Sequence, residues 1–298
     1  NHTDHQKGEV LVAAVNVDAI AVVHKTDDAI VKVFSEGYGE IEVSIEELET
    51  CEQEQGTTKS LVKGVLFGVQ KRGYQIGGFR AYVTSDVLNG AGLSSSAAFE
   101  VMIGTILSGL YNDMKLDPVL LAQVGQYSEN VYFGKPCGLM DQMACAVGGF
   151  VFIDFADPQK PVVEPINFSL MDAGYSLCIV NTGGNHANLN EDYASVPMEM
   201  KAVARELGHD VLRGISESEL ISRIPALRES VGDRAVLRAL HFIRENERVM
   251  MARAALTDGR LSDFFAAVNA SGASSFKYLQ NVYTTKNVQE QGISLALA

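Results

Sequence analysis

The chain has 298 residues, 47% of them apolar and 20% charged, and 24 basic residues against 37 acidic ones leave a net charge of −13. That apolar share excludes a disordered chain, and the length is ample for two domains with cores of their own. The acidity excludes a nucleic-acid or anionic-membrane binder, which needs clustered cations, but not a nucleotide site, where a few backbone N–H groups suffice.

Residues 9–45 read as β-rich: 10–23 is apolar with β-branched residues, 29–34 alternates, and 40–45 alternates strictly, as a half-buried strand does. The run 10–23 is broken by Asn16 and Asp18 and is too short and polar to span a bilayer. No targeting segment stands out, so a cytoplasmic protein is expected. The acidic residues over 36–54 read as a solvated face, because clustered carboxylates repel one another without a cation. The spacing predicts an amphipathic helix over 58–72, with Leu61, Val65, Leu66 and Val69 on one face and Gly73 after it. A strand over 78–85 leads into a Gly/Ser turn and an apolar helix over 96–111.

Asp117-Pro118 is an N-cap followed by proline at the first helical position, opening a helix to about 133. A short helix over 139–147 and a strand over 150–155 follow. Pro158, Pro161 and Pro165 then mark a connector, and 175–181 reads as a strand. Ser216-Glu217-Ser218-Glu219 fits a capping box. Helices are expected over 233–256, stopping before Gly259, over 261–271 and over 288–298. A domain boundary is expected near 160–175, and no internal repeat is evident. The four cysteines, Cys51, Cys137, Cys145 and Cys178, lack metal-ligand spacing and read as reduced thiols.

Four stretches carry candidate chemistry. Asn89-Gly90-Ala91-Gly92-Leu93-Ser94-Ser95-Ser96 stands between a strand and an apolar helix. Its glycines permit close backbone approach, its serines offer hydroxyls, and the new helix offers free N–H groups to an anion. It is a phosphate cradle or a plain tight turn, and it lacks the lysine of the G-x-x-x-x-G-K-[ST] loop. In Cys137-Gly138-Leu139-Met140-Asp141-Gln142, Asp141 is either a first-turn helix-dipole residue or a carboxylate that orients a substrate hydroxyl. Glu129, late in its helix where the dipole opposes it, is a metal-ligand candidate or an ordinary solvated glutamate. His2-Thr3-Asp4-His5 has no helical metal-site pattern and better suits a turn that hydrogen-bonds vicinal hydroxyls.

Taken in order, these stretches resemble the galactokinase branch of the GHMP small-molecule kinases. His2-Thr3-Asp4-His5 is similar to that family's sugar-gripping turn, and Gly90-Ala91-Gly92-Leu93-Ser94-Ser95-Ser96-Ala97 to its ATP-phosphate loop. Cys137 to Gln142 is similar to the segment bearing the family's catalytic Asp, and the run from Asn181 to Tyr193 to a second-domain segment whose Tyr lies beside the sugar. The resemblance implies an ATP-dependent kinase acting on a hexose anomeric hydroxyl, D-galactose first, with ATP and Mg²⁺. A silent sugar- and ATP-binding regulator, or a kinase for another sugar, is the alternative.

By the same resemblance Asp141 is the catalytic carboxylate. Asn1, His2, Asp4, Gly138, Asp141 and Tyr193 face the sugar. Gly90, Ala91, Gly92, Leu93, Ser94, Ser95 and Ser96 hold the phosphates, and Ser96 and Glu129 hold Mg²⁺. No nucleic-acid or membrane partner is implied, and a monomer is expected.

Three departures stand out. Asn1 replaces the family's Glu, the family's Arg that pairs with the catalytic Asp lies upstream of the sugar turn, and no Gly-rich third motif follows Gly272. A chain lacking both termini, and poorly soluble or unstable by itself, is therefore expected. The implied fold is α+β: an N-terminal domain over 1–170 of the ribosomal-protein-S5 type and an incomplete ferredoxin-like domain over 171–298.

Overall fold

The computed structural model describes residues 2–87, 92–182 and 190–298. The backbone divides into two compact units: Ala14–Gly148, and a second built from Asn1–Ala13 together with Gly149–Ala298. This division by packing cuts the chain elsewhere than the proline-rich stretch near 160–175. The reason is one strand pair: β1 (Glu9–Ala13) runs antiparallel to β6 (Phe150–Asp154), with Leu11 opposite Phe152.

In the unit Ala14–Gly148, β2 (Ala19–Lys25), β3 (Ile30–Ser35), β4 (Gly39–Ser44) and β5 (Phe79–Ser85) form one sheet in the order β2-β5-β3-β4. β3 and β4 make a hairpin, and helix α1 (Thr58–Lys71) carries the chain over to lay β5 parallel to β3. The alternation in the sequence sets the faces. Val31, Val33, Val43, Phe79, Ala81 and Val83 are buried in one core with Val62, Leu66 and Val69 of α1 and Ile103 and Leu107 of α2 (Ser95–Tyr111). Val22, Phe34 and Tyr82 face outward, with Phe34 stacked on Tyr82 at 5.2 Å between ring centres. Thr57 caps α1 by accepting from the Ser60 N–H, and Asp117 caps α3 (Pro118–Tyr127) by accepting from Leu120 at 3.0 Å.

The helix expected over 117–133 is α-helical only to Tyr127; it then widens into a π-helical turn, Ser128–Phe133. The wider turn brings Ser128, Glu129 and Tyr132 all into the interior, and such turns recur at functional sites. Ser128 Oγ donates to the Leu61 carbonyl at 2.8 Å and the Tyr132 hydroxyl to that of Leu48 at 2.7 Å. Gly64 of α1 makes this approach feasible, since a Cβ there would stand 2.7 Å from Ser128 Cα. The last helix of the unit is α4 (Met140–Val147), packed on α2 and α3.

In the other unit, β1, β6 and β7 (Val162–Ile166) form an antiparallel sheet with β6 in the middle. Pro165 thus lies in a strand and not in a connector. β7 pairs on one side only among the described residues, so a residue without an N–H is tolerated there. Helices α5 (Asn190–Glu206), α6 (Glu217–Ser230) and α7 (Asp233–Thr257) pack around Met200, Val203, Leu212, Leu220, Ala239 and Phe242, while α8 (Leu261–Ser274) sets Phe264 and Ala267 against Ala252, Ala255 and Leu256 of α7. Ser216 caps α6, its Oγ accepting from the Glu219 N–H at 3.2 Å.

Two expectations fail here. Residues 175–181 form no strand, because no described strand pairs with them; Leu177 and Val180 are exposed. The helix expected over 288–298 shrinks to α9 (Gly292–Leu297), because the Asn287 side chain accepts from the Gln289 N–H at 3.1 Å and holds a turn instead. Among the described residues no helix is long and apolar enough to cross a membrane.

Candidate active site

The turn into α2 ends in two left-handed residues, Gly92 (φ 74°) and Ser94 (φ 56°). Ser94 makes no side-chain cap, so the first-turn N–H groups of α2 keep their capacity for an anion. Leu93, Ser94, Ser95 and Ser96 are half-buried and Gly92 is exposed; Gly90 and Ala91 lie outside the described residues.

Ser96 Oγ donates to Glu129 Oε1 at 3.1 Å, which joins the start of α2 to the π turn. Glu129 is only 3% exposed and gathers further donors. Lys135 Nζ lies 2.9 Å from the same oxygen, and Gln142 Nε2 donates to Oε2 at 2.9 Å. Gln142 Nε2 also donates to Glu100 Oε2 at 3.2 Å. Burial, reinforced by the nearby Glu129 charge, pushes the Glu100 carboxyl up to about 9, so it carries a proton at neutral pH. Burial is the largest single influence on the Lys135 ammonium and works against it, but the hydrogen bond to Glu129 and the negative charges around it together raise its pKa.

Asp141 is exposed in the first turn of α4. The turn before it is held from the π turn: Asn130 Oδ1 accepts from the Cys137 N–H at 2.7 Å, and Asn130 Nδ2 donates back to the Cys137 carbonyl at 3.4 Å. Gly138 is half-buried within that turn. Burial first, and the acids around them second, push the Cys137 thiol up and the Cys145 thiol up to about 11, so neither is a nucleophile at neutral pH.

The other unit carries the remaining candidates. His2 packs edge-on against Tyr193 at 5.2 Å and against His5 at 5.9 Å between ring centres. Burial, with His5 beside it, lowers the His2 pKa to about 3, so its imidazole is neutral and offers one donor and one acceptor. Asp4 opens a single 3-10 turn, Asp4–Gln6, and is half-buried. Tyr193, 63% exposed, sits in the first turn of α5. Asn1 lies outside the described residues.

Comparison with known proteins places this geometry. Residues 60–149 match the family model of the GHMP kinases N terminal domain. A galactokinase of Enterococcus faecalis is 33% identical over 91% of this chain and 70% of its own length. The chain belongs to the galactokinase family. A galactokinase of Pyrococcus furiosus is likewise 33% identical, over 87% of this chain and 68% of its own length. The crystal structure of Lactococcus lactis galactokinase complexed with galactose superposes with a TM-score of 0.74 at 27% identity, covering 93% of this chain and 71% of that one. The GHMP kinase fold expected from the motifs is thereby established, with its mixed α and β content.

The donor chemistry around Glu129 fits an oxygen-seeking dication. A serine hydroxyl and a carboxylate oxygen meet at 3.1 Å, and two further buried oxygens, Glu100 Oε1 and Gln142 Oε1, have no hydrogen-bond partner. Among the described residues no group of three or more His, Cys, Asp or Glu side chains could hold a metal ion. A Mg²⁺ held by Ser96 and Glu129 would therefore take its other ligands from water and phosphate.

Sequence reasoning brought Ser96 to Glu129 and His2 to Tyr193, and it missed Glu100, Asn130, Lys135 and Gln142. One signal was available: Glu100 follows Ser96 by one helical turn, on the same face.

Proposed function

We propose that this chain transfers the γ-phosphoryl group of ATP to the anomeric hydroxyl of D-galactose, giving galactose 1-phosphate. The observation that carries this reading is the junction at Glu129, where the phosphate-loop helix (Ser96), the π turn and the helix of Asp141 (through Gln142) meet within hydrogen-bonding distance. In-line phosphoryl transfer through a loose transition state needs positioning and charge neutralisation more than covalent chemistry, and this junction supplies positioning and the oxygens that would hold a neutralising cation.

In this reading the backbone over 90–96 holds the phosphates, and Asp141 accepts or orients the proton of the attacking hydroxyl. An ordinary carboxylate is a weak base, but a loose transition state asks little basicity of it. Ser96 and Glu129 would hold Mg²⁺, which when bound supplies charge neutralisation at the phosphates. His2, Asp4, Gly138 and Tyr193, with Asn1 at the edge of the set, would hold the sugar. A neutral His2 favours hydroxyl recognition, since an imidazolium would offer no acceptor. The division into a kinase domain over 1–170 and a second over 171–298, a monomeric state and a cytoplasmic location are part of the same reading.

A coupled assay of ADP release over a panel of sugars tests it. Galactose-dependent release is expected. Release with another sugar only overturns the sugar and keeps the transfer. Calorimetric binding of both ligands with no product overturns catalysis and leaves a sugar- and ATP-binding regulator.

A further inference from the structure

Gln142 follows Asp141 directly, and it is 1% exposed. Its side-chain nitrogen makes hydrogen bonds to two carboxyl groups, Glu129 Oε2 at 2.9 Å and Glu100 Oε2 at 3.2 Å. The amide is oriented with its nitrogen toward both carboxyl groups, where it donates; the flipped form would set an acceptor oxygen at 2.9 Å from Glu129 Oε2. Three elements thus meet on one nitrogen: α2 through Glu100, the π turn through Glu129 and α4 through Gln142 itself. Gly125 of α3 leaves the room for this, since a Cβ there would stand 3.0 Å from Glu100 Oε2 and 3.1 Å from Gln142 Cγ.

A second tether lies just upstream. The Cys137 N–H and carbonyl are both held by the Asn130 side chain, and Asn130 is the residue after Glu129. Asp141 therefore sits between two anchor points, at 137 and 142, that both return to residues 129 and 130. Its backbone cannot shift against Glu129 without breaking one of them.

We propose that Gln142 is a positioning residue of the phosphoryl-transfer site, locking the backbone of Asp141 to the Glu129 carboxylate so that the oxygens at 96, 129 and 141 keep one geometry. The inference rests on the galactokinase reading above. A role confined to satisfying two buried carboxyls would also cost stability when removed, so stability alone does not separate the two. Coupling to Asp141 does, because residues that act as a unit give losses that do not multiply.

The experiment is a variant cycle in the full chain, read as galactose-dependent ADP release: Gln142→Met, Asp141→Asn and the pair. Gln142→Met is expected to lower kcat about 10–100-fold with KM for galactose and ATP within about threefold, as misplacement by a fraction of an ångström does. In the Asp141→Asn background the same substitution is expected to cost less than about threefold. Losses that multiply, or a Gln142→Met chain within about twofold of the parent, overturn the proposal. Where Gln142→Met fails to fold, Gln142→Asn, which keeps the amide but retracts it by one methylene, takes its place in the cycle. An independent readout is the Gln142 side-chain amide by NMR: slow exchange and a shift on Glu129→Gln are expected, and the signal of a freely solvated amide in the folded chain overturns the proposal. No sugar-dependent release from the parent chain sinks the functional reading and the positioning role with it, whereas release with multiplied losses sinks the positioning role alone.

Discussion

Two buried polar regions, one in each unit, are built on opposite principles. Along α7, Arg238, His241, Glu245 and Arg248 recur at helical spacing and face a matched set of partners. Arg238 pairs with Glu199 at 2.9 Å and donates to Ser195 Oγ at 2.8 Å and to the Leu279 carbonyl at 3.0 Å. His241 meets Ser274 Oγ at 2.9 Å, Arg248 pairs with Glu245 at 2.6 Å, and Ser271 donates to Glu245. No buried side-chain atom of this stripe lacks a partner among the described residues. Around Glu129 the account is lopsided: two carboxyls meet one hydroxyl, one amide and one ammonium, and two oxygens, Glu100 Oε1 and Gln142 Oε1, are left over. A matched network holds helices together, whereas a surplus of buried acceptors is costly unless a cation or a proton is to join it. The comparison teaches that the Glu129 cluster, unlike the stripe on α7, has buried oxygens left to offer.

Substitutions can break or sharpen this contrast. The largest effect belongs to Asp141→Asn, expected to cut kcat by about 10²–10⁴-fold while KM for ATP stays within a small factor, as loss of a general base does. Steady-state kinetics with MgATP decide it, and an unchanged rate removes Asp141 from the reaction. At the balanced stripe, Arg238→Met leaves Glu199 without one of its cations and the Leu279 carbonyl without its donor. It should cost about 3 kcal/mol of stability by urea unfolding, as breaking a buried pair does. A loss as small as that of a surface pair would make the stripe ornamental.

Ser96→Ala comes next. It should raise the Mg²⁺ concentration for half-maximal activity by about tenfold with little change in unfolding midpoint, in line with the loss of one oxygen at a metal site. The same midpoint shift as Arg238→Met, without a changed Mg²⁺ requirement, would erase the distinction between the two regions.

The unbalanced cluster also carries a pH dependence. The Glu100 carboxyl binds its proton up to about pH 9 when folded and gives it up near 4.5 when unfolded, so the folded state holds more protons between those values. Stability contributed by the protonated group is complete below about pH 4.5 and falls as pH rises toward 9. Glu100→Gln, which has no proton to lose, should show a flatter profile in metal-free buffer, and the two chains should diverge from pH 5 to pH 8. Parallel melting curves across that range would place Glu100 in a wetter site than its burial implies.

Much of the fold was legible because short-range chemistry settles it. Thr57, Asp117 and Ser216 cap helices as their residue types require, and the alternation at 40–45 is the alternation of β4. What could not be read depends on partners distant in the chain. Residues 175–181 have the composition of a strand but no described neighbour to pair with, and Pro165 is tolerated in β7 because, among the described residues, that strand pairs on one side only. The apolar run 10–23 is broken at Asn16 and Asp18, and β1 and β2 on the two sides of that break pair in different sheets. In the site, the resemblance grouped Ser96 with Glu129, but the burial of Glu129 and its further partners could not be read, because they depend on a π turn. Nothing in Ser128-Glu129-Asn130 announces that the helix will widen there. Glu100 and Gln142 escaped notice for the same reason, since a buried glutamate and a solvated one are the same letter.

The antiparallel pairing of β1 with β6 has a consequence for synthesis. The whole of Ala14–Gly148 lies between the two partners, so β1 leaves the ribosome with no neighbour in its own sheet and must wait until residues 150–154 have been made. Ala14–Gly148 is contiguous and can complete its own sheet and core first, as domains made early in translation do. Closing the longer loop then becomes cheaper, because a folded insert has brought the chain on either side of it closer together than a random coil would. Folding thus runs outward from Ala14–Gly148, and β1 meets β6 only after the residues between them have been made.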